Sequence, residues 1–118
     1  MSVTVRPAAP GDAPAIHALN VAFNDVRATP SYIAAALAAE AQTERLFVAE
    51  LDGEVAGMVG LRLLPCVLDP EPYAELTELY VAERARRRGV GRALVGAVEQ
   101  AARAGGASRL VLLTAWRN

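Results

Sequence analysis

The sequence contains no lysine: all twelve of its basic residues are arginine. That excludes a lysine Schiff base and a phosphate loop ending in Gly-Lys-Ser/Thr. A single cysteine, Cys66, excludes an internal disulfide framework and a cysteine-based metal site. No base is placed near it in the sequence, so it is not read as a nucleophile. The lone histidine, His17, reads as a surface or half-buried polar residue on a helix, and no metal site is expected. The chain opens without a basic stretch and apolar run, and no apolar run approaches bilayer-spanning length. A reducing, cytoplasmic setting without a membrane partner is therefore expected. A formal net charge of -1 does not suit a nucleic-acid surface, and none is expected.

What is present is apolar. Hydrophobic residues make up 53% of 118, enough for one buried core and one domain over residues 1–118. Ser2 to Arg6 is alternating and β-branched, which predicts a first strand ended by Pro7 and Pro10. Asp12 is placed to cap a helix from Ala13 to about Phe23, with Ile16, Leu19 and Phe23 on one stripe. Thr29-Pro30 starts a second helix over Ser31–Ala41. Strands are predicted at Arg45–Leu51 and Glu54–Leu64, joined by an Asp52-Gly53 turn, with Gly57 and Gly60 as bulge or close-approach sites. After a proline-rich loop come a strand at Tyr73–Ala82, a helix at Gly89–Ala104 and a strand at Arg109–Thr114. Val90, Leu94, Val98 and Ala101 form the helix's apolar face, and Gly105-Gly106 stops it. The fold class is mixed α/β in the order β-α-α-β-β-β-α-β, its last unit a parallel crossover.

The loop before that helix carries chemistry. Gly89 and Gly91 allow a ligand close to the backbone. First-turn amides lack helical partners, and the helix dipole adds about half a positive charge. Five arginines lie between Arg84 and Arg92. Together these suit a diphosphate. The dinucleotide fingerprint fails, because Leu94 stands where its last glycine belongs.

Arg86-x-x-Gly89-x-Gly91, preceded by Leu79-Tyr80-Val81 and followed by an Ala-Leu-Val helix, resembles the central motif of the GNAT superfamily of N-acetyltransferases. The resemblance spans the chain. It implies acetyl-coenzyme A as the acetyl donor and an amine as acceptor, on a small molecule or a protein. It implies that amides of Arg87, Arg88, Gly89, Val90, Gly91 and Arg92 hold the pyrophosphate, mainly those of Arg87, Gly89, Gly91 and Arg92, with Arg86 also among the cofactor-binding residues. Leu79, Tyr80 and Val81 would lie along the pantetheine arm, with an amide near Leu79 at the thioester oxygen, and Asn118 would join the cofactor set. Glu78 and Glu75 are the two candidates for the base, Glu78 first; each is also readable as a surface charge. Strict alternation would send them to opposite faces unless a bulge intervenes. Asn24, Asp25 and Tyr32 are placed to touch the acceptor.

Members of the superfamily continue with a helix and further strands beyond the segment matching Arg109–Thr114. The tyrosine that usually protonates the leaving thiolate has no match in Tyr32, Tyr73 or Tyr80. The chain therefore reads as a fragment, as one completed by a partner chain, or as a non-catalytic relative. The alternative to an enzyme is a module that binds coenzyme A or another phosphorylated ligand and acts through a partner. Homodimer formation is left open.

Overall fold

The computed structural model describes residues 2–23, 27–40 and 43–112. Five strands form one sheet in sequence order: β1 (Val3–Pro7), β2 (Glu44–Leu51), β3 (Glu54–Leu64), β4 (Tyr73–Val81) and β5 (Leu110–Leu112). The first four pair antiparallel. β5 pairs parallel to β4 after the crossover helix α3 (Val90–Ala104). Helices α1 (Ala13–Ala22) and α2 (Pro30–Ala38) fall between β1 and β2 in the chain. This is the mixed α/β architecture expected from the sequence.

Local chemistry explains most boundaries. Tyr32 N–H donates to Thr29 Oγ1 at 3.1 Å and Pro30 occupies the first turn, so α2 starts where its capping pair predicts. Asp52 and Gly53 both take positive φ, 53° and 83°, as a two-residue hairpin turn requires. Asp12 does not cap α1. Its carboxylate accepts from Arg6 Nη1 and Nη2 at 2.8 and 2.9 Å and from Ala9 N–H at 2.7 Å. A forked guanidinium is the stronger partner for a carboxylate, and a short 3₁₀ turn, Pro10–Asp12, leads into α1 instead.

That pairing has a pH signature. Hydrogen bonds from Arg6 hold the Asp12 carboxyl below its ordinary range. A depressed folded value means stability present above the unfolded value, about pH 4, and lost as pH falls through the folded one. Asp12→Asn is expected to cost about 1 kcal/mol at pH 7, a modest figure because Arg6 is partly exposed. Urea unfolding of the two proteins should converge as the pH falls below the ordinary carboxylate range, about pH 4.

The sheet register sorts side chains by face. Val48, Met58 and Tyr80 are aligned on one face; Phe47, Val59 and Leu79 are aligned on the other. α3 covers the second face: a Cβ at Gly57 would meet Leu94 Cδ1 and Val90 Cγ1 at 3.0 Å. Val90, Leu94 and Val98 are buried there with Ala102, and the half-buried Ala101 packs against the same core. Leu94→Ala should therefore cost about 2–5 kcal/mol, measured by chemical denaturation. α1 and α2 cover the first face, through Ile16, Leu19 and Ile33. No helix among the described residues is long and apolar enough to cross a membrane.

Candidate active site

The site is organised by an irregularity in β4. Val59 pairs with Leu79, but Leu61 pairs with Leu76. A step of two residues on β3 thus faces a step of three on β4, a bulge at Thr77-Glu78 opposite Gly60. Gly60 is there because nothing larger fits: a Cβ would collide with Thr77 Oγ1 and lie 2.9 Å from Glu44 Oε2. The bulge also resets the alternation. Glu75 and Glu78, three apart, fall on the same face as Met58 and Tyr80, the side covered by α1 and α2.

The two acids nevertheless have different surroundings. Glu75 is 7% exposed, and its Oε1 lies 3.5 Å from Arg62 Nη1, its neighbour across the β3–β4 ladder. Glu78 is half-buried and lines a cavity of about 210 Å³ between the helices and the sheet. The walls are Ile16, Ile33, Leu37, Leu46 and Met58; Asn20, Tyr32 and Glu44 also reach it. Glu44 was not singled out in the sequence. It accepts a hydrogen bond from the bulged Thr77 hydroxyl. Gly60 was the one signal of that cluster.

The second half of the site lies at the start of α3. Arg87 and Gly89 have φ of 66° and 80°. Left-handed residues alternating with right-handed ones turn successive amides toward one concavity. The first intrahelical bond runs from Ala93 N–H to Gly89 O at 3.0 Å, so the amides of Val90, Gly91 and Arg92 precede the helical ladder. Here lies an open concavity of about 540 Å³ lined by Val81 and by Ala85 through Arg92 except Arg88. A Cβ at Gly91 would meet only Val81 Cγ2, at 3.7 Å. Anion-binding amides, surrounding guanidinium groups and free space fit the diphosphate of a coenzyme A thioester.

The remaining expected residues divide. Val81 borders the concavity. Leu79 is 37% exposed, unusual for a strand leucine and compatible with a ligand lying along β4. Tyr80 faces the other way, stacked on Phe23 at 4.5 Å between ring centroids. The Val90 side chain belongs to the core, leaving only its amide for the site. Arg86 sets its guanidinium 5.8 Å above the Phe23 ring and borders the concavity as well. Arg87, Arg88 and Arg92 are exposed. Tyr32 reaches the acid-bearing cavity, while Asn24, Asp25 and Asn118 lie outside the described residues. Among the described residues no group of His, Cys, Asp and Glu is placed to hold a metal ion.

Solved structures share this architecture. A protein from Agrobacterium tumefaciens strain C58 to which acetyltransferase activity is attributed is 28% identical, with a TM-score of 0.83 over 98% of this chain and 83% of its own. A ribosomal-protein-alanine N-acetyltransferase from Brucella melitensis biovar Abortus 2308 is 21% identical, with a TM-score of 0.83 over 98% and 82%. An aminoglycoside acetyltransferase from an uncultured soil metagenomic sample, in complex with sisomicin, is 20% identical, with a TM-score of 0.76 over 97% and 78%. At their identities the last two bear on the fold alone. No protein of curated function matches the sequence. The model of the acetyltransferase (GNAT) family matches residues 14–118. With so much of the chain inside that match, this protein belongs to the GNAT acetyltransferase family.

Proposed function

We propose that the protein transfers an acetyl group from acetyl-coenzyme A to a primary amine by direct attack, without a covalent enzyme intermediate. One observation carries the reading. Glu78 lines the acid-bearing cavity and Val81 borders the phosphate concavity, on opposite faces of one stretch of β4. The outer edge of that stretch beyond Leu76 has no strand partner among the described residues, so an arm laid along that edge reaches both. Three residues of strand span about 10 Å, a distance a thioester arm can bridge.

Each chain group has a defined task. The α3 amides and nearby arginines hold the diphosphate and fix the donor along β4. An amine with a pKa near 10 is protonated at neutral pH, with about one molecule in a thousand free to attack. Glu78 holds the ammonium and accepts one proton from it. Acetyl-coenzyme A supplies the acetyl carbon: the new nitrogen–carbon bond forms as the carbon–sulfur bond breaks, the sulfur of the departing coenzyme A keeping the electron pair. The amide nitrogen sheds a second proton, which the thiolate takes up through water. A thiol pKa of about 8.5 makes that departure possible without a dedicated acid. Glu75, tied to Arg62, supports the sheet beneath.

The test is a thiol-release assay with acetyl-coenzyme A and a panel of primary amines. Release above the amine-free rate, with acetylated amine detected by mass spectrometry, is the expected result. Coenzyme A binding without release for any amine would reduce the protein to a binding module.

A further inference from the structure

We infer that Phe23 is a positioning residue of the cofactor site, holding the Arg86 guanidinium at the rim of the phosphate concavity. This rests on the acetyltransferase reading above and adds a residue to it. Phe23 does not itself line that concavity. It closes α1, on the stripe that begins with Ile16 and Leu19. Those two are buried in the core, whereas Phe23 is half-buried. Its ring has two specific partners. Tyr80 stacks on it at 4.5 Å between centroids, with the planes 5° apart. The guanidinium carbon of Arg86 lies over it, 5.8 Å from the centroid.

Arg86 needs such a support. It borders two open volumes, the phosphate concavity and a cavity of about 340 Å³ beside α1. Among the described residues no carboxylate lies within ion-pair distance of it. An exposed arginine loses much rotamer freedom when it is held in one place. The face of an aromatic ring attracts a cation within about 6 Å, so part of that ordering precedes the ligand. The choice of partner matters. A carboxylate would occupy the N–H donors that a diphosphate needs, whereas a ring leaves them available. The ring in turn is fixed. Phe23 N–H donates to Leu19 O at 3.1 Å and to Asn20 O at 3.2 Å, and the stack on Tyr80 ties the side chain to β4. A cation at the phosphate rim is thereby placed by α1, a helix with no residue in the concavity.

The experiment is a double-mutant cycle read by calorimetry of coenzyme A, with thermal unfolding of each variant alongside. Phe23→Leu should weaken binding about three- to fivefold, the worth of one exposed cation–π contact. Arg86→Ala should weaken it about tenfold or more, the value of a charge-assisted contact. With Arg86→Ala already in place, Phe23→Leu should add no further loss, because its effect passes through the guanidinium. Phe23→Tyr keeps the ring and should keep the affinity. If the leucine variant does not fold, Phe23→Met takes its place in the cycle. A residue that merely packs α1 predicts the same loss in both backgrounds. That result, or no loss in Phe23→Leu alone, overturns the inference, while coenzyme A binding leaves the acetyltransferase reading standing. Absence of coenzyme A binding to the unaltered protein would remove both.

Discussion

Gly91→Val should weaken coenzyme A binding by at least about 100-fold, or about 2.7 kcal/mol. The position faces the concavity at the start of α3, where only Val81 stands near a built Cβ. A branched side chain therefore meets no protein obstacle, and its bulk falls where the phosphates must approach. Gly91→Ala sharpens the case. Alanine is the better helix former by up to about 1 kcal/mol, so folding should hold or improve while affinity falls. Opposite signs in thermal stability and affinity separate blocked binding from damage to the fold. Calorimetry with coenzyme A checks both, and wild-type affinity in the valine variant would remove the diphosphate loop from the account.

Glu78→Gln should lower kcat by about 100- to 1,000-fold, within the span of general-base contributions, with the KM for acetyl-coenzyme A little changed. Glutamine keeps the shape of the side chain but cannot take the ammonium proton. Glu75→Gln should behave differently. Its carboxylate is buried against Arg62, so that substitution should appear mainly in unfolding free energy, leaving a cation without its partner. Steady-state kinetics on the two variants distinguishes the roles. Wild-type kcat in Glu78→Gln would exclude it as the base.

The order of elements was legible because apolar periods, the Thr29-Pro30 start and the Asp52-Gly53 turn are local signals that tertiary structure left in place. The loop at the start of α3 was legible for the same reason, since a left-handed Gly89 is a backbone requirement carried by one residue. Asp12 misled because a capping residue and an ion-pair partner look alike until Arg6 is brought beside it. The relation of Glu75 to Glu78 was not decidable from spacing. It depends on a bulge that only pairing with β3 reveals, although Gly60 hinted at it. Glu44 was hidden further still, being distant in the chain and joined to Thr77 only by the fold.

The extra residue in β4 has an inherited consequence. Loss of the Thr77 codon would leave Glu78 opposite Gly60 and every other pair in register, so no side chain would change layer. A one-residue loss elsewhere in β4 would instead turn one whole flank toward the wrong layer. Changes of length in this strand should accordingly be tolerated at the bulge and not on either side of it. Where close kin differ in the length of β4, the difference should fall at Thr77.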